Sequence, residues 1–246
     1  MVLSWVIPIV VWIAVGTVVL WFMVRRFATS ACPGDLPSRR TMAAFLAPTA
    51  IAQFGAVLLY NQIPLLANFR MGNETGAVFF IAWQATVVID TAAVFFTNSL
   101  AVQTAREPHR AAELAQATRR RMLLIFVPLL VLGAGLGWPV LRILGEGYTS
   151  GAPIIAALML GVLFRLVVVF ELARRQAHGD ARGYTRLSLL NCGMVVLIAW
   201  QVPLPPPATT HPSLVMLPFV IGYIIVQAAF ASFLLVQDKR SRARTR

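Results

Sequence analysis

The sequence predicts an all-α membrane protein, a polytopic bundle of about seven transmembrane helices with its N-terminus outside and its C-terminus in the cytoplasm. Three observations predict this class. Only 12% of the 246 residues are charged and 59% are hydrophobic, whereas a soluble domain usually has about a quarter of its residues charged. The apolar residues form long segments. The basic residues that give the net charge of +12 lie between those segments.

Seven segments have the ~20 mostly apolar residues that a spanning helix requires. The first has neither a basic residue before it nor a small-residue cleavage site after it, so we interpret it as a retained span and not as a signal peptide. The sixth is short and ends at "PLPPP", which terminates a helix. Membrane strands are excluded because the segments are too long and do not alternate. The segments are approximately 4–24, 43–67, 77–104, 122–141, 153–172, 187–203 and 214–236.

The orientation follows from the positions of the basic residues. Alternate connections hold 18 of the 21 basic residues, and the positive-inside rule places these connections in the cytoplasm of a cell (plasma or inner) membrane protein. The same pattern argues against nucleic acid as a partner, because the arginines separate apolar segments and form no continuous basic domain. The basic connections are 25–40, 105–121, 173–186 and the tail 238–246.

The residue types that support catalysis are sparse, so we expect that the protein is not an enzyme and needs no cofactor. The histidines His109, His178 and His211 lie in predicted loops. Cys32 and Cys192 are isolated, without metal or redox spacing. No pair of His, Cys, Asp or Glu residues has the spacing of metal ligands, so no metal site is predicted.

Polar residues inside the spans are the better candidates for function. Gln84, Thr91 and Asn98 follow each other at a spacing of seven and therefore share one face of a helix. Asp90 lies at the edge of that face, and Arg165 lies in the fifth span. Such groups face the bundle interior or a water-filled cavity. For single amides, hydrogen bonding between helices is the simpler interpretation. The second span adds two cavity candidates, Gln53 and Asn61.

We predict that Asp90 pairs with Arg165 in a wetted cavity, because either charge alone is costly at membrane depth. Counted from the predicted cytoplasmic ends of their spans, Asp90 lies ~21 Å deep and Arg165 ~10 Å deep. The resulting offset of ~10 Å is large for direct contact, and helix tilt narrows it. The alternative is a protonated Asp90, hydrogen-bonded in a helix interface.

Two stretches resemble a known family. They are "LLYNQIPLLANFRMGNETGAVFFIAWQATVVIDTAAVFFTNSLAVQTARE" and "PVLRILGEGYTSGAPIIAALMLGVLF". The first resembles the start of the C-terminal lobe of polysaccharide flippases, with a Gly-containing turn before "GAVFF". The second is similar to that family's Leu-Gly-x-x-Tyr loop. These flippases export lipid-linked oligosaccharides and belong to the multidrug/oligosaccharidyl-lipid/polysaccharide exporter superfamily. The resemblance covers most of residues 41–200.

The family usually has twelve or fourteen spans in two six-helix lobes. On that comparison, residues 1–24 resemble the last helix of a missing N-terminal lobe, and residues 25–40 resemble the cytoplasmic linker. Residues 41–238 then form the C-terminal lobe, and residues 239–246 form a basic tail. The resemblance implies a half-length or truncated transporter. A second copy or a separate N-terminal lobe would complete it.

The resemblance also implies a function in cell-envelope biosynthesis. Rocking of two lobes would carry a lipid-linked sugar with an anionic diphosphate headgroup across the membrane, among membrane lipids. Arg165 would contact the anion, and Asp90 would pair with Arg165 or bind a coupling cation or proton. Gln84, Thr91 and Asn98 would hydrogen-bond the sugar or headgroup. The alternatives are a non-transporting membrane scaffold for envelope assembly and a drug/cation antiporter of the same superfamily.

Overall fold

The structure is a computed structural model that describes residues 11, 14–19, 21–22, 25, 38–203, 205 and 211–244. The chain divides into two compact units, residues 1–42 and 43–246. Residues 14–19 are helical and belong to the predicted first span. The rest of that span is only partly covered, and the predicted linker lies almost entirely outside the described residues, as does Cys32.

Six long α-helices follow, and each is long and apolar enough to cross a membrane. The predicted all-α class is confirmed, and the described residues contain no strand. Short 3-10 turns connect α2 to α3 at Pro108–Arg110 and α3 to α4 at Glu146–Gly151. The helices are α1 Arg39–Met71, α2 Asn73–Arg106, α3 Ala111–Leu144, α4 Ala152–Ala177, α5 Ala181–Gln201 and α6 Pro212–Arg244.

Each of these helices coincides with one predicted span, but most extend further than the apolar segment itself. At the end of α4, Glu171 accepts bonds from Arg174 Nε at 2.7 Å and from Arg175 Nε at 2.9 Å. Pairs three and four residues apart stabilise a helix, so α4 continues to Ala177 through residues that hydropathy alone assigns to a loop. By contrast, α5 ends at Gln201, before the proline-rich stretch that the sequence predicted as its terminator.

Short connections make consecutive helices antiparallel. Only Gly72 separates α1 from α2, and its φ of +82° is a backbone conformation that glycine adopts readily. α5 begins at Asp180, whose side chain accepts a bond from the Gly183 backbone N–H at 2.9 Å. We call the end of the bundle where α2 ends and α3 begins the basic end, because the helix ends and short connections there are rich in arginine.

α4 is the central helix of the bundle. It packs against α2, α3, α5 and α6, and 13 of its 26 residues are buried. The outer helices instead expose large apolar side chains, such as Phe54 at 71% and Ile143 at 86%. A surface this apolar is unusual for a soluble monomer and suits contact with lipid chains. α4 therefore forms the interior on which a buried site can be built.

Candidate functional site

An ion pair between α2 and α4 lies inside the bundle. Arg165 Nε donates to Asp90 Oδ1 at 3.0 Å, and the two side chains are only 7% and 14% exposed. The predicted pairing of Asp90 with Arg165 is therefore confirmed. Asp90 is neutralised by a partner in this structure.

The predicted offset in depth between the two residues was too large, because the helices are longer than their apolar segments. Asp90 lies 16 residues before the end of α2, or ~24 Å, and Arg165 lies 12 residues before the end of α4, or ~18 Å. The offset falls to ~6 Å. The long arginine side chain spans this remaining distance.

The pair belongs to a polar network that links four helices. Arg165 Nη1 donates to Asn191 Oδ1 on α5 at 2.6 Å, and Asn191 Nδ2 donates to Gln227 Oε1 on α6 at 3.2 Å. Asn191 and Gln227 are fully buried. Buried polar groups without partners are costly, so these amides satisfy the guanidinium and one another.

A groove of about 410 Å³ begins at the ion pair. Asp90, Arg165, Tyr60 and Cys192 lie at its deep end, and the groove extends toward the basic end of the bundle as far as Gln176 on α4. The groove is defined by Gln53, Ala56, Val57, Tyr60, Asn61, Val87, Asp90, Thr91, Val94, Phe95, Thr97, Asn98, Arg165, Val169, Leu172, Ala173, Gln176, Tyr184, Ser188 and Cys192.

The open side of the groove runs along α1 and α2. Its lining residues on α4 and α5 are buried or half-buried. Val57 and Phe95, on α1 and α2, are instead 56% and 72% exposed. A ligand can therefore reach the ion pair from the side of the bundle, between α1 and α2.

Six of the seven predicted site residues lie on this groove. They comprise the ion pair and four exposed polar residues at its open side, Gln53, Asn61, Thr91 and Asn98. Gln84 is not among the described lining residues. It lies on α2 six residues before Asp90, or ~9 Å farther from the basic end. The spacing of seven identified a common helix face, but the groove ends before Gln84.

Aromatic rings close the deep end of the groove, and we call them the aromatic floor: Tyr60, Phe79, Trp83, Phe219 and Tyr223. The ring centroids of Trp83 lie 5.0 Å from Tyr60 and 5.4 Å from Tyr223. The hydroxyls of Tyr60 and Tyr223 lie 3.1 Å apart. The Tyr60 ring also lies 5.7 Å from Arg165 Cζ, so the floor begins directly beneath the ion pair.

The sequence interpretation missed this floor, although a signal was present. Phe79 and Trp83 are four residues apart, as are Phe219 and Tyr223, and residues at this spacing share a helix face. Tyr184 was missed for a different reason. It lies near the start of α5, before the predicted span, and accepts a bond from Gln53 Nε2 at 2.6 Å.

A second contact closes the bundle at the end opposite the basic end. Arg70, near the end of α1, donates from Nη1 to the Ala199 carbonyl and from Nη2 to the Val202 carbonyl, both at 2.7 Å. These carbonyls belong to the C-terminus of α5, where helical carbonyls lack intrahelical partners and the dipole favours a cation. Arg70 therefore holds α1 against the end of α5 at the end of the bundle opposite the basic end.

The described residues contain no group of three or more His, Cys, Asp or Glu side chains that could hold a metal ion. The arrangement offers a different chemistry, namely a buried guanidinium with an apolar wall on one side and hydrogen-bonding rims on the other. The chain matches no protein-family model, no curated protein and no solved structure.

Proposed function

We propose that the chain is a membrane transport protein that resembles one lobe of a lipid-linked oligosaccharide flippase of cell-envelope biosynthesis. One observation carries the proposal. The buried Asp90–Arg165 pair lies at the closed end of a groove that opens at the side of the bundle. The cargo proposed from the resemblance is a lipid-linked sugar whose anionic headgroup contacts Arg165, while the apolar lipid remains in the membrane.

The cost of the charges supports a role beyond holding the fold. Insertion scales assign ~2.5–3.5 kcal/mol to either charge at a helix centre, and apolar residues of similar volume often hold a core equally well. Charged residues retained inside a span usually mark a substrate or ion pathway. The groove gives this pair contact with accessible space, which a purely structural pair does not need.

The polar rim supports an assembly of two lobes. Gln53, Asn61, Thr91 and Asn98 are exposed along α1 and α2, on helices long enough to cross the membrane. Polar side chains at that depth face protein or water and not lipid. We propose that a second copy of the chain or a separate N-terminal lobe faces this rim, and that rocking of the two lobes moves the cargo.

One observation favours a scaffold instead. A network runs from Asp90 through Arg165 and Asn191 to Gln227 and joins four helices. Fixing the fold is a sufficient role for such a network, without any transport function. A cation antiporter has less support, because the Asp90 carboxylate is already neutralised by Arg165 and offers no net negative charge to a cation.

The test is a flipping assay with the protein purified from native membranes in its assembled form. The probe is a fluorescent polyprenyl diphosphate sugar in proteoliposomes. Wild-type protein and the control Arg142→Gln, which changes an exposed arginine, are expected to flip the probe. The double variant Asp90→Asn/Arg165→Gln is expected to fold but to flip at least about tenfold more slowly. Flipping by the double variant at the wild-type rate would instead support the scaffold.

A further inference from the structure

The deep end of the groove is electrically neutral as it stands. Arg165 and Asp90 form one positive and one negative charge that are 7% and 14% exposed. The other titratable groups near the pair are Tyr60 on α1, Cys192 and Tyr184 on α5, and Tyr223 on α6. α3 packs against α2 through apolar side chains such as Phe126. Tyrosine and cysteine side chains are ordinarily neutral at pH 7.

The charges on α4 toward the basic end pair with each other. Glu171, on the same helix as Arg165 and six residues beyond it, is held by Arg174 and Arg175. Arg165 is the one arginine or lysine among the described residues that line the groove, and Asp90 is the one carboxylate there.

Arg165 retains the capacity to bind such an anion. A guanidinium carries five N–H donors, and the two bonds to Asp90 and Asn191 use two of them. Arg165 lines the groove, so a ligand oxyanion can approach it from the accessible space. Adding a net negative charge at this buried site is costly unless another group becomes neutral. Asp90 is the anionic group in position to do so.

We propose that the groove binds a singly charged oxyanion carried on an apolar chain, and that Asp90 takes up one proton as the anion replaces its carboxylate on Arg165. The proton comes from water and forms an O–H bond on the Asp90 carboxyl group. Before binding, the two charges at the site are those of Arg165 and Asp90. After binding, they are those of Arg165 and the bound anion, because Asp90 is neutral. Binding of the anion is thus linked to uptake of one proton.

The apolar walls of the groove are the reason for proposing that the ligand carries an apolar chain. Val94, Val169 and Leu172 line the groove between the ion pair and the basic end, and Val87 lines it about one turn before Asp90 on α2. The volume of about 410 Å³ corresponds to about fourteen water molecules at ~30 Å³ each. This space accommodates one headgroup and part of a chain, and the exposed sides of α1 and α2 let the remaining chain pass into the membrane.

This inference rests on the proposed function, because it specifies the charge that the same site accepts from the cargo. In a diphosphate diester each phosphate carries one negative charge. The groove would therefore hold one phosphate at a time, with the sugar outside it.

The test is isothermal titration calorimetry of the full chain in nanodiscs of zwitterionic phosphatidylcholine. The probe is decanesulfonate, a permanent monoanion, so any proton taken up must bind to the protein. Titrations in buffers of different ionisation enthalpy give the number of protons. We expect saturable binding with uptake of about one proton, and a Kd that weakens about tenfold between pH 7 and pH 8. The neutral control, decanol, should give no saturable heat.

Variants locate the proton. Asp90→Asn removes the competing carboxylate, so it should bind decanesulfonate at least about tenfold more tightly and without proton uptake. Arg165→Gln should lose saturable binding, and Asp180→Asn, which changes an exposed carboxyl at the basic end, should behave as wild type. If Asp90→Asn does not fold, binding of decanesulfonate to the wild-type protein without proton uptake would still overturn the inference.

Binding of the sulfonate without proton uptake, or uptake that persists in Asp90→Asn, would overturn the inference. Binding of decanol as tight as that of decanesulfonate would overturn it too. The two proposals can fail separately. Proton-linked binding without flipping of the lipid-linked sugar would remove the transport proposal and leave the site. Flipping without sulfonate binding would remove the site and leave transport.

Discussion

At the residue scale, the choice of arginine at position 165 has a geometric reason. Its Nε donates to Asp90 and its Nη1 donates to Asn191, which lie on different helices. A guanidinium offers several donors in one rigid plane, whereas a lysine ammonium is a single point charge on a flexible chain. Arg165 therefore positions α2 and α5 relative to α4 at the same time.

The first prediction is that removing one member of the ion pair is more harmful than removing both. Asp90→Asn or Arg165→Gln leaves a buried charge without its partner, which typically costs about 3–5 kcal/mol. The double variant leaves four uncharged amides at the site and should recover most of the loss. Thermal unfolding in detergent measures all four proteins of the cycle. Additive losses would mean that the two residues are not coupled.

At the element scale, the position of α4 depends on close approach to α6. A Cβ built on Gly161 would overlap the ring of Tyr223, and this ring belongs to the aromatic floor. Since the ring is fully buried, it has little room to move away. A small residue at position 161 is thus required for the floor to form.

The second prediction concerns Gly161→Ala. Overpacking of a core costs about 1–3 kcal/mol, so the melting temperature should fall. The matched control is Gly193→Ala on α5, where nothing lies within 4 Å of the added Cβ. Alanine in a helix is favoured over glycine by up to ~1 kcal/mol, so the control should be neutral or stabilised. Equal effects of the two substitutions would contradict the close contact between α4 and α6.

The end of α5 gives the third prediction. Arg70→Gln removes two charge-assisted bonds to carbonyls of α5, and each such bond contributes about 1.5–3 kcal/mol when intact. Because Arg70 is half-buried, we expect a net loss near the lower end of that range. Hydrogen exchange should show faster opening of the last turn of α5. Arg142→Gln is the control, since that guanidinium stacks on exposed Trp138 at 5.1 Å; protection of α5 should not change.

At the scale of the whole molecule, the arginine pattern implies a defined orientation. The segments 105–121 and 173–186, which comprise helix ends and short connections at the basic end, carry many basic residues, and the turn between α3 and α4 carries none. This asymmetry predicts that the basic end faces the cytoplasm. The end of the groove near Gln176 would then lie on the cytoplasmic side.

The fourth prediction tests that orientation by single-cysteine labelling in a background without Cys32 and Cys192. Asp180→Cys at the basic end should be protected from an impermeant thiol reagent in intact cells. Gly147→Cys in the turn between α3 and α4 should be labelled, and both positions are exposed. The reverse pattern would invert the orientation and contradict the placement of the N-terminus outside.

The fifth prediction concerns assembly. Asn98 lies on the exposed rim of the groove, and Val131 lies on the apolar outer surface of α3. If a second lobe covers the rim, Asn98→Cys should form a cross-linked species of higher mass in native membranes. Val131→Cys should not, because its side chain is expected to face lipid. Cross-linking from neither position would count against the second lobe.

Hydropathy predicted the six described helices because each holds an apolar run far longer than a strand or a soluble helix needs. It underestimated their ends, because it treats Arg174 and Arg175 as loop residues although both bond to Glu171 within about one helix turn. The cost of isolated charges predicted that Asp90 and Arg165 would meet. Periodicity alone could not exclude Gln84 from the groove. Gln84 shares a helix face with Thr91 and Asn98, but a shared face does not determine how far along the helix the groove extends. The first span, the orientation and the cargo stay predictions.

Trp83 of the aromatic floor gives the molecule an optical property. Its indole Nε1 is a fully buried donor without a protein acceptor among the described residues, whereas Trp21, Trp138 and Trp200 are at least half exposed. An excited indole lowers its energy only when polar neighbours reorient around it, and apolar rings do so poorly. Trp83 should therefore emit at shorter wavelength than the exposed tryptophans. Trp83 packs against Tyr60, whose ring lies beside Arg165. A change that makes the surroundings of the aromatic floor more polar should therefore move the Trp83 emission to longer wavelength.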